Sequence, residues 1–290
     1  MIMKRWMLPL LAVALATAAC SSDDEAATPL CGEGKVTFDC STEAFVTDVT
    51  TRATEGYQLP AELIPAGEAM QLTLSGAYTE EGENGSPIEK SYGPRTWATV
   101  ADYNTEAPEL EAGIYNTTAH AYQNSYTATI SYGDMEAEGA AKPCFKGDAA
   151  TFTIAANKTT TVSLSAKLAN SCFVVEVTEW MLAYYTGIEL TIHTASNSFT
   201  FNPTTTAPGE LIFVKPGQQL TLSGKAVKAQ NGVEVEFPKT AIGAGTIAAE
   251  SCYTIRVDHS TAGSGALQIA FDDTFTEVPA VDVELNGEGK

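Results

Sequence analysis

The chain has 290 residues, of which 36 are acidic and 16 basic, so its formal net charge is −20 and its pI is near 4.4. A surface this acidic repels phosphate polymers, which excludes general nucleic-acid binding. Only three histidines are present, which leaves little material for histidine-based catalysis or zinc ligation. The 44% hydrophobic content indicates a folded protein, and the length favours about two domains.

The first 19 residues have the pattern of a secretory signal peptide. Lys4 and Arg5 form a positive start, and the apolar stretch 6–19 is shorter than the roughly 20 residues that a membrane-spanning helix needs. The segment 17–20, Thr-Ala-Ala-Cys, resembles a bacterial lipobox, in which cleavage leaves Cys20 as a lipidated N-terminus. The alternative is an ordinary signal peptide that is cut near Ala19.

The residues after Cys20 are polar and acidic: Ser22, Asp23, Asp24 and Glu25. This run resembles the surface-export signal of Bacteroidetes lipoproteins, which implies display on the outside of the outer membrane. A solvated tether is the simpler alternative. We therefore predict a signal peptide over residues 1–19 and a lipidated, acidic tether over residues 20–34. The outer membrane is then a partner through the lipid.

In the rest of the chain, apolar and polar residues alternate with period two. This pattern predicts antiparallel strands with one buried face and one solvent-exposed face. Turn residues such as Pro65, Pro208 and Asn231 separate the runs, and the best helical segment is Thr178 to Tyr185. The fold class predicted is all-β, with two tandem antiparallel β-sandwich domains. Strands are predicted at 70–75, 126–132, 162–168, 188–193, 233–237, 253–258 and 281–285.

One hexapeptide occurs twice. Gln-Leu-Thr-Leu-Ser-Gly stands at 71–76 and again at 219–224, each time after a Gly-containing turn. Its position in two similarly ordered halves indicates a duplicated sandwich. We place the boundary near Ala169-Asn170, so that the first domain covers residues 35–168 and the second covers residues 169–290.

The segment 157–170, which contains KTTTVSLSAKLAN, is followed by the aromatic stretch 180–185 and the strand patterns at 188–192 and 199–203. This order resembles a Bacteroides lipoprotein family of uncharacterised function, fimbrillin-like in style, over roughly residues 35–285. The resemblance implies tandem, Ig-like or fimbrillin-like β-sandwiches on the cell surface. It implies no ligand and no catalytic residue.

Arg52 lies in a Thr-Arg-Ala stretch that is similar to the early segment of fimbrillin-like precursors. The resemblance makes Arg52 a candidate processing site, whose cleavage would open a groove for a strand from another subunit. The alternative is a solvated loop arginine. The polar, Gly-rich residues 286–290 offer no donor strand, which favours this alternative.

Aromatic residues crowd the segment 92–132, and Tyr92, Trp97 and Tyr103 are the candidate ligand aromatics. Exposed rings stack on the apolar faces of sugars, whereas core packing is the alternative for any aromatic residue in a sandwich. The polar region 79–109 is the least strand-like part of the first half. Loops at the ends of sandwiches commonly carry recognition, so a ligand site is expected there.

No catalytic, metal or cofactor motif stands out, and we predict none. Acidic runs at 80–84 and 272–273 lack the spacing of a calcium loop, so charged turns are expected there. A hydrolase with two carboxylates stays open, because no pair is singled out. Five cysteines remain after Cys20, an odd number that leaves their pairing open: Cys31, Cys40, Cys144, Cys172 and Cys252.

The resulting hypothesis is a non-enzymatic, surface-exposed outer-membrane lipoprotein in adhesion, or a fimbria-associated component. Its partners would be other surface or fimbrial proteins. The alternative is a glycan-binding surface lipoprotein of a polysaccharide-uptake system.

Overall fold

The computed structural model describes residues 30–48, 57–206, 209–243, 245–259, 267–271, 274–278 and 281–282. The fold is all-β, as predicted, with two short α-helices among these residues, α1 (Val100–Glu106) and α2 (Glu179–Tyr184). No helix in these ranges is long and apolar enough to cross a membrane.

The first half of the chain contributes thirteen of the described strands. They are β1 (Glu33–Thr42), β2 (Phe45–Asp48), β3 (Tyr57–Gln58), β4 (Gln71–Glu81), β5 (Pro87–Trp97), β6 (Glu109–Glu111), β7 (Tyr115–Asn116), β8 (Ala121–Tyr122), β9 (Asn124–Tyr132), β10 (Gly139–Ala140), β11 (Phe145–Gly147), β12 (Ala150–Phe152) and β13 (Thr159–Leu168).

The second half contributes ten more described strands. They are β14 (Ser171–Val177), β15 (Tyr185–His193), β16 (Ser198–Phe201), β17 (Ile212–Val214), β18 (Thr221–Lys228), β19 (Glu234–Ala241), β20 (Ser251–His259), β21 (Leu267–Phe271), β22 (Thr274–Val278) and β23 (Val281–Asp282). Each predicted strand overlaps one of these, and of the predicted strand 281–285 the structure describes residues 281–282. Period-two alternation predicts strands because it requires one buried and one exposed face.

Among the described residues there are three large sheets and a two-stranded sheet of β7 and β8. The first sheet has the order β5-β4-β9-β11-β13-β1-β6, with β12 paired to β9. The middle sheet has the order β10-β17-β14-β20-β2-β3, with β21 and β22 attached to β20, and the third has the order β16-β15-β18-β19-β23. Three pairs run parallel, β1–β13, β14–β20 and β2–β20, where the alternation had suggested antiparallel neighbours throughout.

The middle sheet faces two hydrophobic cores. On β14, Cys172 and Val174 belong to the first core, whereas Phe173 belongs to the second. On β20, Cys252 faces the first core and Tyr253 the second. Because successive side chains of a strand point to opposite faces, three strands from the second half, β14, β17 and β20, help to close the core of the first half.

The predicted boundary at Ala169-Asn170 falls in the short connection from β13 to β14. Asn170 is fully buried there. Its carboxamide accepts from the Cys144 amide at 3.1 Å and donates to the Lys142 carbonyl at 3.0 Å, while its own carbonyl accepts from the Glu250 amide at 3.1 Å. This connection is therefore tied by hydrogen bonds to segments from both halves.

The repeated hexapeptide produces the same local structure twice. Its strand pairs with the following strand through a bulge, where Ser75 on β4 faces two residues of β5 and Ser223 on β18 faces two residues of β19. Both bulges contain a proline, Pro94 and Pro238, which suits a position where the ladder is interrupted. The other neighbour differs, because β9 follows β4 in sequence but β15 precedes β18.

The region 79–109 is more regular than expected. Strands β4 and β5 form a hairpin across most of it, and α1 follows. Every residue of β5 before Trp97 is exposed or half-buried, so the strand shows no apolar alternation. The expectation of a loop-rich end was wrong here. A β-hairpin with solvent-exposed residues on both faces has the polar composition of a loop, so its sequence does not show a strand pattern.

Candidate functional site

The structure places the three candidate ligand aromatics together, mainly in the first core. Trp97 is 7% exposed and Tyr103 is 0% exposed, and their rings meet edge to face with centroids 4.8 Å apart. Tyr92 is half-buried and packs against Tyr126 at 5.6 Å. Neither Trp97 nor Tyr103 offers a ring face to a sugar, so core packing, the alternative, describes both.

Polar groups above these rings bind one another. The Glu106 carboxylate accepts from Nε1 of Trp97 at 2.6 Å and from Arg95 at 3.3 Å. The Arg95 guanidinium lies 4.9 Å from the centroid of the Trp97 ring. A ligand at this place would have to displace contacts that hold α1 against β5.

A different surface, on the second half of the chain, exposes large apolar side chains. Trp180 is 78% exposed, Leu182 45% and Tyr184 36%, and all three lie on the six-residue helix α2. Large exposed apolar side chains concentrated on one short helix make it a candidate interaction site. We refer to these three residues as the α2 ridge.

The local sequence explains why α2 presents its apolar residues outward. The Thr178 hydroxyl caps the helix by accepting from the Met181 amide at 3.3 Å, and it donates to the Asp258 carboxylate at 2.5 Å. Met181 is fully buried and anchors the inner face. One buried anchor in a helix of this length leaves the remaining side chains of the ridge on the outside.

A groove lies beside the ridge, with a volume of about 380 Å³. Its wall is the end of β14, and pairing of β14 with β17 stops at Phe173. Among the described residues, no strand pairs with the β17-facing edge of β14 beyond that point. The α2 groove, as we call it, is lined by Val175, Glu176, Val177, Leu182, Phe201, Asn202, Pro203, Thr206, Gly209 and Glu210.

The rim of the α2 groove is acidic. Glu176 and Glu210 are exposed at the groove. An adjoining depression of about 370 Å³ is lined by Glu176, Glu179 and Trp180, with Arg256 as its basic residue. The floor is apolar, with Val175, Val177 and Phe201. Together these features suit a ligand that combines apolar surface with positive charge.

Other predicted residues lie outside the described part of the chain. These are Cys20, the export residues Ser22, Asp23, Asp24 and Glu25, and Arg52. Of the two acidic runs, 272–273 is also outside it. In the other, Glu80 forms an ion pair with Lys90 at 3.5 Å. The described residues contain no group of three His, Cys, Asp or Glu side chains that could hold a metal ion.

The sequence predicted α2 but not the exposure of its apolar residues, and it did not predict α1. The prediction of a helix at Thr178 to Tyr185 is confirmed by α2. The signal for α1 was Thr99, whose hydroxyl accepts from the Asp102 amide at 3.0 Å as an N-cap. Trp180 is exposed whereas Trp97 is buried, although both have aromatic neighbours in the sequence. The difference therefore depends on tertiary packing.

The chain belongs to the DUF4493 family, described as a domain of unknown function, whose model matches residues 32–286. The expected membership of an uncharacterised family is thereby confirmed. No curated protein matches the chain.

Similar solved structures include a fimbrial assembly protein from Parabacteroides distasonis, with 9% identity, a TM-score of 0.34, and coverage of 86% of this chain and 99% of that one. Another is the fimbrial anchor protein Mfa2 from Porphyromonas gingivalis, with 11% identity, a TM-score of 0.30, and coverage of 86% and 99%.

Proposed function

We propose that the protein is a non-enzymatic outer-membrane lipoprotein, held by a lipid on Cys20 and displayed at the cell surface. It acts in adhesion or as a fimbria-associated component by binding an extended segment of a partner polypeptide in the α2 groove. The observation that carries this proposal is the α2 groove, where the exposed Leu182 and the half-buried Val175 and Val177 lie beside the open edge of β14.

The open edge supports an extended polypeptide as the occupant. Main-chain groups along an unpaired strand edge recognise another strand by hydrogen bonding, and flanking pockets select its side chains. Val175 and Val177 are half-buried beside the apolar floor of the groove. A partner strand at this edge would cover them and also cover Leu182.

The charge of the rim specifies the partner further. Glu176 and Glu210 are carboxylates, and the chain as a whole carries −20. Complementary charge accelerates encounter and disfavours wrong partners. The partner segment therefore alternates apolar residues with lysine or arginine.

Glycan binding is the second candidate. Trp180, at 78% exposed, offers a ring face to a sugar, and Glu176, Glu179 and Arg256 provide polar groups beside it. A glycan array probed with the chain and with its Trp180→Ala variant tests this directly. Binding that is lost in the variant would favour the polysaccharide-uptake role over the peptide partner.

The groove itself is tested with a fluorescent ten-residue peptide of alternating valine and lysine, measured by fluorescence anisotropy. Leu182→Asp should weaken binding by about tenfold or more, because it places a charge on the apolar contact. Ile88→Asp is the matched control, since Ile88 is also 45% exposed but lies on β5. Equal binding by the two variants would contradict the groove as the site.

Surface display and role are tested in cells. Metabolic labelling with a fatty acid should mark the protein but not its Cys20→Ala variant, and protease added to whole cells should degrade it. A deletion strain complemented with Leu182→Asp should adhere or assemble fimbriae less well than one complemented with Ile88→Asp. A protein that stays unlabelled and protease-resistant would contradict the lipoprotein assignment.

A further inference from the structure

Two cysteines face each other across the parallel strands β14 and β20. Cys172 and Cys252 are register partners in this pair, although they are 80 residues apart in sequence. They are 0% and 2% exposed, and both point into the first core. The neighbouring Cys252 side chain raises the pKa of the Cys172 thiol. Both are free thiols in the structure.

The geometry of this pair suits a disulfide. Neighbouring strands lie about 4.7–4.9 Å apart, which is within the Cα separation of about 4.4–6.8 Å that disulfides span. Both side chains lie on one face of the middle sheet, so their Cβ atoms project in the same direction. The Cβ atoms of a disulfide lie about 3.5–4.5 Å apart, so the two strands need to approach by only a few tenths of an ångström.

The other described cysteines have no such neighbour in register. Cys31 is exposed near the start of the first sheet, and Cys40 faces Leu164 in the register of β1 with β13. Cys144 is buried before β11, where its amide binds Asn170. The odd count of cysteines after Cys20 is accommodated if one pair forms and three thiols remain.

We propose that Cys172 and Cys252 form a disulfide bond in the exported protein. The bond joins β14 to β20 immediately before the part of β14 that lines the α2 groove. It keeps β14 attached to the middle sheet when a partner strand binds the opposite edge of β14. The formation of the bond in cells rests on the export proposed above, because it requires an oxidising compartment.

The reaction is a thiol–disulfide exchange with a small or protein disulfide as the oxidant. One cysteine thiolate attacks a sulfur of that disulfide, forms a mixed disulfide and releases one thiolate. The second cysteine thiolate then attacks the protein sulfur, closes the bond and releases the other thiolate. Two electrons pass from the cysteines to the oxidant, and the two cysteine protons end on the two released thiols.

Burial of the two thiols determines the stage of folding at which the exchange occurs. The pKa of the Cys172 thiol is raised well above its ordinary value by its hydrogen bond with Cys252 and by desolvation. The attacking species is the thiolate, so the folded, reduced protein reacts slowly. The bond therefore forms while β14 and β20 are pairing, before the first core closes over them.

Refolding of the full chain tests the pairing without reference to export. The denatured, reduced chain is refolded in oxidised and reduced glutathione, alkylated and digested with trypsin. Trypsin does not cut before proline, so Cys172 is the one cysteine in peptide 168–225 and Cys252 the one in peptide 240–256. The expected product is these two peptides joined, with a mass about 2 Da below their sum because two hydrogens are lost.

Thermal unfolding provides a second readout. Oxidised protein should melt about 5–15 °C above the reduced form. That difference should vanish in Cys172→Ala/Cys252→Ala and persist in the control Cys31→Ala/Cys144→Ala. Absence of the joined peptides after refolding, or joining to other cysteine peptides, would overturn the proposal.

Protein taken from whole cells separates the two proposals. Joined peptides in the refolded chain, but reduced cysteines in a protein that carries no lipid and stays inside the cell, would contradict export and leave the pairing intact. Reduced cysteines in a lipidated, surface-exposed protein would contradict the disulfide and leave the proposed function intact.

Discussion

Glu138 and Gln218 join the two halves of the chain. The Glu138 carboxylate accepts a hydrogen bond from Nε2 of Gln218 at 2.6 Å, across 80 residues of sequence. The same carboxylate accepts from Thr194 at 2.7 Å, from Asn197 at 2.9 Å and from the Lys215 amide at 3.1 Å. One acidic side chain of the first half thus organises two loops of the second.

Glu138→Gln should destabilise the protein by about 1–3 kcal/mol. Hydrogen bonds to a charged acceptor are stronger than neutral ones, and glutamine replaces one accepting oxygen with a donor. Urea unfolding of the two proteins measures the loss. Glu80→Gln is the control, because Glu80 forms an exposed ion pair with Lys90 and should cost less than about 0.5 kcal/mol. Equal losses in the two variants would contradict this role for Glu138.

The contribution of Glu138 should depend on pH. Burial by itself would raise the pKa of Glu138, but hydrogen bonds from Asn197, Thr194 and Gln218 lower it below the ordinary value of 4.5. The stabilisation is therefore complete above 4.5 and is lost as the pH falls through the lower pKa of the folded state. The difference in unfolding free energy between wild type and Glu138→Gln should shrink below pH 4.5. A difference that stays constant down to pH 3 would contradict it.

The repeated hexapeptide should need its glycine in both copies. A Cβ atom at Gly76 would lie 2.8 Å from the Ser125 carbonyl oxygen, and one at Gly224 would lie 2.5 Å from that of Glu189. Alanine at either position should cost about 1–3 kcal/mol, because the neighbouring strand has to move. Gly245→Ala, with nothing within 4 Å, should be tolerated. Thermal unfolding of the three variants compares them.

Two buried tyrosines should respond oppositely to loss of their hydroxyl. The Tyr103 hydroxyl is buried and has no hydrogen-bond partner among the described residues. Tyr126 donates to the Glu111 carbonyl at 2.8 Å. Tyr103→Phe should be neutral or stabilising, whereas Tyr126→Phe should lose about 1 kcal/mol. A marked loss of stability in Tyr103→Phe would indicate a partner for this hydroxyl.

The envelope form of the protein should begin at lipidated Cys20 and retain Arg52. Cleavage after Arg52 would cut the lipid-bearing segment, which contains β1 and β2, from the rest of the chain. Mass spectrometry of protein extracted from cell envelopes locates the N-terminus, and Arg52→Ala should leave it unchanged. An N-terminus at Ala53 would instead favour processing and the release of the first segment.

Alternation of apolar and polar residues predicted seven strands, but β1 was not among them although its buried and exposed residues alternate as well. Alternation failed at β5, which is wet on both faces, and it did not determine which strand pairs with which. The aromatic cluster was correctly seen as dense, but Trp97 and Tyr103 became core whereas Trp180 became surface. A ring's exposure depends on which elements pack over it, and those elements are distant in the sequence.

The amino-acid sequence by itself determined that this protein is all-β and strongly acidic, and that it contains the same strand hexapeptide, ending in glycine, in both halves. Composition and period-two patterning are local properties of the chain. Only the tertiary structure decided that β14 and β20 lie side by side, that Glu138 reaches the loops of the second half, and that α2 borders an open strand edge. Each of these depends on contacts between residues far apart in the chain, and local residue preferences do not encode them.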